Sequence, residues 1–170
     1  MNYKSFVDLL KKIFEEFLSE DIIANSDGED LLYGAEWTYL FHIVLYITVR
    51  KYNKSHSQKL KIIPEKGGRV PIDFSLIYDD KKCFLLIEHE NSEKKIRSNF
   101  EKLTDPKNNA AEHYLLISYV KDKKTGKIII ENLKQKKKEL CSNRQIHILF
   151  GPDTDELSEE ESFFIIDEII

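Results

Sequence analysis

Three carboxylates, Asp73, Glu88 and Glu90, have the chemistry and the spacing that a metal site needs. Glu88 and Glu90 follow the apolar run CFLLI at residues 83–87, and side chains two positions apart on a strand share a face. Ligand sets made only of oxygen favour Mg²⁺, with Mn²⁺ as a substitute, over zinc. Magnesium sites commonly combine one or two carboxylates with waters and substrate phosphate oxygens. The three acids therefore predict a divalent-metal site that acts on a phosphate ester.

A β-hairpin would bring Asp73 to the two glutamates. If the turn is tight, so that Asp79 faces Lys82, antiparallel pairing places Asp73 opposite Glu88 with Cβ atoms about 4.5–5.5 Å apart. Like charges that face each other destabilise a sheet, and a bound cation would offset that repulsion. A shift of one residue in the register would turn the side chains to the other face. In that alternative the glutamates mark the point where the strand emerges into solvent, and Asp73 forms a salt bridge with Lys or Arg.

Two further polar residues lie in apolar surroundings near this pattern. His89 alternates with the two glutamates and therefore points to the opposite face, where packing or a hydrogen bond is expected rather than metal binding. Glu36 lies between Ala35 and Trp37 in the most apolar helix of the sequence. Because buried acids are rarely unpaired, Glu36 either forms a core ion pair, lies in an exposed first turn, or acts beside the metal.

The periodicity of apolar residues predicts the elements that position these acids. Phe6, Leu10 and Ile13 recur at helical spacing, and Gly67-Gly68 marks a turn before the strand that contains Asp73. Helices are predicted over residues 3–18, 31–52, about 92–103 and 128–141, and strands over residues 60–64, 69–78, 83–91, 113–120 and 145–150. The order α-α-β-β-β-α-β-α-β is typical of an α/β domain with a mixed sheet flanked by helices.

Length and composition favour one domain. A chain of 170 residues with 41% hydrophobic residues can bury a core without disulfides or structural metals. We expect a single domain over residues 1–170, with a core at about 31–150 and an acidic C-terminal segment at 151–170. Cys83 and Cys141 are not spaced as ligands, and the sequence lacks the apolar segments of a signal peptide or a membrane span. These features predict a cytoplasmic protein that does not enter a membrane.

Charge is distributed unevenly along the chain, whose formal net charge is -4. Residues 151–170 contain eight acids and no Lys or Arg, whereas residues 121–144 contain nine basic residues and three acids. The basic segment could bind nucleic-acid phosphates, although lysine-rich helices are more often solvated faces. The sequence leaves both interpretations open.

The positions of the acids resemble the PD-(D/E)XK nuclease superfamily, which has the restriction-endonuclease-like fold, over roughly residues 31–150. The matching residues are Pro71-Ile72-Asp73, then Glu88-His89-Glu90, with Glu36 on the helix before the strands. The resemblance implies an αβββαβ core, here with an extra N-terminal helix. Two departures stand out, because one residue separates Pro71 from Asp73 and Glu90 occupies the position of the usual Lys.

The resemblance implies a magnesium-dependent nuclease. Asp73 and Glu88 would hold the metal with Glu90 as a third ligand, and Glu90 would also orient the attacking water or accept its proton. The catalytic residues that we predict are Asp73, Glu88, Glu90, Glu36 and Lys95. The superfamily acts most often on DNA, so DNA is expected more than RNA. A homodimer would suit cleavage of both strands.

The missing motif lysine leaves the activity open. Lys95 on the following helix would replace it, with Lys94 and Lys102 as alternatives. If no lysine does so, the chain is a nuclease-fold protein without catalysis that binds nucleic acid or acts as an assembly subunit. A third alternative is a protein-interaction or immunity-type module that uses the acidic segment at residues 153–161.

Overall fold

Four α-helices and six β-strands make up the described part of the chain. The structure, a computed structural model, describes residues 2–19, 35–64, 72–90, 92–108, 111–152 and 165–170. The helices are α1 (Tyr3–Ser19), α2 (Ala35–Ser55), α3 (Glu93–Thr104) and α4 (Lys123–Glu139), with a 3₁₀ turn at Pro106–Asn108. The strands are β1 (Leu60–Pro64), β2 (Phe74–Tyr78), β3 (Cys83–Glu90), β4 (Ala111–Val120), β5 (His147–Pro152) and β6 (Ile166–Ile169).

The six strands form one mixed sheet with the order β1-β2-β3-β4-β5-β6. β1, β2 and β3 pair antiparallel, β4 and β5 continue the sheet in parallel, and β6 pairs antiparallel with β5. Antiparallel neighbours need only short turns, whereas the parallel pairs are connected through α3 and α4. The α/β prediction is confirmed, and α2-β1-β2-β3-α3-β4 has the αβββαβ order that the resemblance implies.

Helices cover both faces of the sheet, and each face has its own apolar core. One core joins α1 and α2 to the sheet through buried residues such as Phe6 and Phe41. The other joins α3 and α4 to the opposite face through residues such as Phe100 and Ile130. Because both faces are covered, β3 is buried at nearly every position. A polar side chain on this strand is therefore withdrawn from solvent.

The turn between β2 and β3 differs from the prediction by one residue. Lys82 was expected to face Asp79, but its carbonyl accepts a hydrogen bond from the Tyr78 N–H at 2.9 Å. The longer turn contains Lys81 at φ 67, in the left-handed region of backbone conformation. The predicted turn is wrong, because the loop is longer than assumed.

A β-bulge restores the predicted register beyond the turn. The register shifts between residues 76 and 77, because their partners on β3 are Leu85 and Cys83, so that β3 has one extra residue, Phe84, at that point. Phe74 then faces Ile87, and the next pair in the same register is Asp73 and Glu88. The register predicted for the site end of the hairpin is therefore confirmed, although the turn that was used to derive it is not.

The fourth helix begins before its predicted start at Ile128. Asp122 caps it, because its side chain accepts a hydrogen bond from the Thr125 N–H at 2.6 Å. Gly126, which precedes the predicted start of the helix, lies within it. A Cβ at this position would lie 2.4 Å from Ile166 Cδ1, so the isoleucine side chain would have to move to accept it. Close packing against Ile166 thus accompanies a glycine within the first turn of this helix.

The C-terminal part of the sheet is larger than predicted. β5 continues through Gly151 to Pro152, pairing with β4, instead of ending before them. Pro152 is the last residue of β5. Residues Ile166–Ile169 then add β6, which the sequence did not predict as a strand. None of the described helices is long and apolar enough to span a membrane.

Some predictions fall on residues outside the described ranges. They are the start of the second helix at 31–34, the start of the second strand at 69–71 including Pro71, and the acidic segment at 153–161. Glu36 lies in α2, but its side chain is also outside the described part of the chain. Its predicted role beside the metal stays a prediction.

Candidate functional site

Glu88 and Glu90 lie at the end of β3, on the face covered by α3. Their side chains are 0% and 8% exposed, respectively. Alternation along the strand places them on the same face as Leu86, which belongs to the core shared with α3. The alternative in which the glutamates emerge into solvent is therefore wrong. Two carboxylates are buried side by side, which requires compensation from neighbouring groups.

Glu88 is compensated at only one of its two carboxylate oxygens. Lys102 Nζ lies 3.0 Å from Oε2, in an ion pair that also has hydrogen-bond geometry. Oε1 is buried and has no hydrogen-bond partner among the described residues. Burial and the negative charge of Asp73 raise the pKa of Glu88 to about 7, against the opposing effect of Lys102. An unpartnered, buried oxygen with a raised pKa is a site for a proton or a cation.

Asp73 immediately precedes β2 and lies next to the end of β3. Its Oδ2 accepts a hydrogen bond from the His89 N–H at 2.8 Å, which fixes the carboxylate against the neighbouring strand. Its charge is close enough to raise the pKa of Glu88. The hairpin therefore brings Asp73 and Glu88 together, as the register predicted.

Glu90 is held differently from its neighbour. Oε1 accepts the Ser92 N–H at 3.0 Å, and Oε2 accepts a hydrogen bond from the Asn99 side chain at 3.2 Å. The Ser118 hydroxyl donates to the Glu90 carbonyl at 2.7 Å and fixes the backbone. Among the described residues, no group of three or more His, Cys, Asp or Glu is arranged to hold a metal ion. Asp73 and Glu88, two of the three predicted ligands, thus lie together. Both carboxylate oxygens of Glu90 instead accept hydrogen bonds from other groups of the protein.

The lysine that reaches the carboxylates is Lys102. Lys94 and Lys95 are exposed in the first turn of α3. Packing of Ile96 and Phe100 against the sheet sets the rotation of the helix, and that rotation points Lys102 at Glu88. Lys95 stays a prediction for the catalytic lysine, since the structure shows only its exposure.

Sequence reasoning missed Asn99, which is 6% exposed and binds Glu90. A signal was present, because Asn99 falls three residues after Ile96 and four before Leu103, on the buried face of α3. A polar residue in that row must find a partner, and the carboxylates at the end of β3 are the nearest polar groups on this face.

His89 lies on the opposite face, as its alternation with the glutamates predicted. Its ring stacks on Phe41 with centroids 4.6 Å apart, and its Nε2 lies 3.1 Å from the Tyr119 hydroxyl. Burial lowers the pKa of His89 to about 3, with a further effect from His42. His89 is therefore a neutral, packed histidine outside the carboxylate site.

His42 connects α2 to the carboxylate end of the sheet. Its exposed ring meets Phe74 edge to face, with centroids 4.6 Å apart. Partial burial lowers the pKa of His42, and the negative charge of Asp73 opposes that shift. The sequence did not identify His42, because only the packing of α2 on β2 places it near Asp73.

Comparisons with known proteins return little similarity. No protein-family model matches the chain, and no curated protein matches it. Among solved structures, the chain is similar to SfsA of Pyrococcus furiosus, determined in complex with Ca²⁺, at 11% sequence identity and a TM-score of 0.40. The match covers 76% of this chain, which spans 62% of the length of that structure. The comparisons thus assign no role to the site residues of this chain.

Proposed function

We propose that this chain is a magnesium-dependent phosphodiester hydrolase whose site lies at the ends of β2 and β3. The observation that carries the proposal is the buried Oε1 of Glu88, which lacks a partner among the described residues and lies beside Asp73. Carboxylates with strongly perturbed pKa values cluster at functional sites. Nucleic acid is the substrate class, and DNA is the first to test.

The donor set fits magnesium better than a softer metal. Magnesium needs one or two carboxylates and keeps several waters, and Asp73 with Glu88 supplies that number of carboxylates. A cation between them would satisfy Oε1 of Glu88 and remove the repulsion that raises its pKa. Manganese would bind the same oxygens and is the expected substitute.

The remaining residues have roles that their contacts support. When bound, the metal would polarise the phosphate and acidify a water. Lys102 places a positive charge beside Glu88. This charge would stabilise the negative charge that develops on the phosphoryl oxygens of a bound substrate. Glu90 is oriented by Ser92 and Asn99, so its carboxylate is fixed in place to direct the attacking water.

The test is cleavage of labelled DNA and RNA with magnesium or manganese, using wild type and Glu88→Gln. Glu88→Gln keeps the shape of the side chain but removes the charge, and we expect it to abolish metal-dependent cleavage. Glu139→Gln, an exposed position on α4, is the matched control and should cleave like wild type. Equal activity of Glu88→Gln and wild type would overturn the proposal.

A second candidate is a nucleic-acid-binding protein of this fold without catalysis. It is favoured by the internal compensation of the carboxylates, because Lys102 pairs with Glu88 and both oxygens of Glu90 have partners within the protein. In this case wild type binds nucleic acid but does not cleave it. Glu90→Lys, which restores the usual motif lysine, should then gain cleavage that Asp73→Asn removes.

A further inference from the structure

An open groove of about 650 Å³ runs between α2 and β1. Tyr46, Arg50 and Lys54 line it on the helix, and Lys61 and Ile63 line it on the strand. Among the described strands, β1 is the first of the sheet and pairs only with β2, and its residues Lys61 and Ile63 border the groove. This α2–β1 groove lies outside the carboxylate site.

The groove is positively charged in a chain that is acidic overall. Residues 41–64 contain five Lys or Arg and no Asp or Glu, against a formal net charge of -4 for the whole chain. Lys61 pairs with Asp79 at 2.9 Å, whereas Arg50 and Lys54 form no ion pair with any described residue. Local charge of one sign along a groove attracts a polyanion.

An aromatic ring lies among these charges. Tyr46 is 60% exposed, and Ile43, one turn before it, is 50% exposed. Both residues lie on the exposed face of α2, where large apolar side chains offer a contact surface. A tyrosine ring between basic residues offers a stacking surface for a nucleobase and counter-charges for the adjoining phosphates.

The exposed residues form a row that leads to the carboxylate site. His42, Tyr46, Arg50 and Lys54 are four residues apart, so each is about 6 Å further along the helix axis than the one before. His42, at one end of the row, lies near Asp73. A strand bound along α2 would therefore arrive at Asp73.

We infer that the α2–β1 groove binds single-stranded nucleic acid, with a base stacked on Tyr46 and phosphates on Arg50 and Lys54. This inference extends the proposed function, since it names the substrate class that the carboxylate site would receive. A single strand is required because base pairs in a duplex hide the faces of the bases from a side chain.

The lysine-rich α4 is a weaker candidate for the same role. Lys134 pairs with Glu131 and Glu168, and Lys136 pairs with Glu101 at 3.2 Å. Part of the predicted basic segment at 121–144 is thus neutralised within the protein. Lys137 and Lys138 of α4 form no ion pair with any described residue, and they supply the matched control variants.

The experiment measures fluorescence anisotropy of labelled oligonucleotides of about 12 nucleotides in EDTA, where metal-dependent cleavage cannot occur. Poly(dT), poly(U) and a duplex of equal length separate DNA, RNA and paired substrates. Tyr46→Ala should weaken single-strand binding by about 5- to 150-fold, whereas Tyr46→Phe should retain it. Arg50→Gln with Lys54→Gln should flatten the salt dependence, lowering the slope of log K against log salt by about 1.4.

Control variants and further readouts separate the outcomes. Lys137→Gln with Lys138→Gln on α4 should bind like wild type. Binding is measured in EDTA and cleavage separately with magnesium, so failure of cleavage and failure of binding are distinguishable. Equal binding by Tyr46→Ala and wild type, tighter binding of the duplex, or a wild-type dimer that Tyr46→Ala dissociates would each overturn the inference.

Discussion

Two lysine–carboxylate pairs lie on opposite faces of the sheet, and only one of them is complete. On the α1 face, Lys11 Nζ lies 2.6 Å from Asp167 Oδ2, and His147 binds the other oxygen. On the α3 face, Lys102 binds one oxygen of Glu88, and the second oxygen has no partner among the described residues. Both sites pair a lysine with a carboxylate, but only at Asp167 do both carboxylate oxygens have partners among the described residues.

Because Asp167 has partners at both carboxylate oxygens and Glu88 at one, the pKa values of the two acids shift in opposite directions. Burial alone would raise the pKa of Asp167, but hydrogen bonds from Lys11 and His147 outweigh it, and the pKa is lowered. Burial and the charge of Asp73 raise the pKa of Glu88 to about 7, because one lysine does not outweigh both effects. Asp167 therefore links elements of the fold, whereas Glu88 retains capacity for a ligand.

The largest expected effect separates Lys102 from Lys11. Lys102→Met removes the positive charge beside Glu88, so turnover of labelled DNA should fall by about 10²–10³-fold. Lys102→Arg keeps the charge and should preserve more activity, which distinguishes loss of charge from loss of folding. Lys11→Met should leave turnover unchanged. If both methionine variants lose activity equally, the contrast between the two pairs fails.

The pH dependence of stability should have opposite signs at the two acids. The folded pKa of Glu88 lies above the ordinary 4.5, so the folded state binds the proton more tightly than the unfolded state. The contribution of Glu88 to the free energy of unfolding should therefore fall as pH rises from about 4.5 to about 7. Relative to wild type, Glu88→Gln should gain about 1–3 kcal/mol over that interval.

Asp167 should behave in the opposite way. Its folded pKa lies below the ordinary 3.8, so its contribution is present above that pH and is lost as the pH falls through the folded value. Asp167→Asn should destabilise the protein at neutral pH and have less effect in acid. Urea unfolding in EDTA between pH 3 and pH 8 measures both variants. Parallel pH profiles for the two variants would contradict the assignment.

Magnesium binding should distinguish the two sites by a smaller effect, which is a shift in Tm. A cation that binds only the folded state at ten times its Kd stabilises it by about 1.4 kcal/mol, or about 3–6 °C in Tm for a chain of this size. Magnesium should therefore raise the Tm of wild type and of Asp167→Asn, but not of Asp73→Asn. Differential scanning fluorimetry with a magnesium series and an EDTA control measures the shift. A magnesium shift that survives in Asp73→Asn would place the ion elsewhere.

The sequence predicted the pairing of Asp73 with Glu88 for a reason that survived an error in the turn. Apolar residues on β2 and β3 determine which face of each strand is buried, so the bulge at residues 76 and 77 restores the register that the turn displaces. Lys102 could not be chosen over Lys94 or Lys95 in the same way. The rotation of α3 about its axis selects among them, and that rotation follows from tertiary packing.

The unpredicted β6 has a similar explanation. Its segment reads Ile-Asp-Glu-Ile, which lacks the alternation that identifies a half-buried strand. Pairing with β5, and ion pairs from Lys11 to Asp167 and from Lys134 to Glu168, hold it at the edge of the sheet. A local sequence pattern does not reveal such long-range partners. The cluster around Asp167 was therefore not predicted, whereas the pairing of Asp73 with Glu88 was.

The smallest expected effect tests whether the complete cluster is structural only. The Tyr3 hydroxyl lies 3.1 Å from His147 Nδ1, and its ring stacks on His113 with centroids 4.1 Å apart. Tyr3→Phe removes the hydrogen bond and keeps the ring, so it should cost about 0.5–1.5 kcal/mol of stability in urea unfolding. Because the cluster lies on the α1 face, the same variant should keep the magnesium-induced shift in Tm and the turnover of wild type. His113→Ala, which removes the stacked ring instead, is the companion variant. If Tyr3→Phe lowers turnover while leaving stability unchanged, the cluster around His147 takes part in function. The number of hydrogen-bonded carboxylate oxygens would then not distinguish structural from functional carboxylates in this fold.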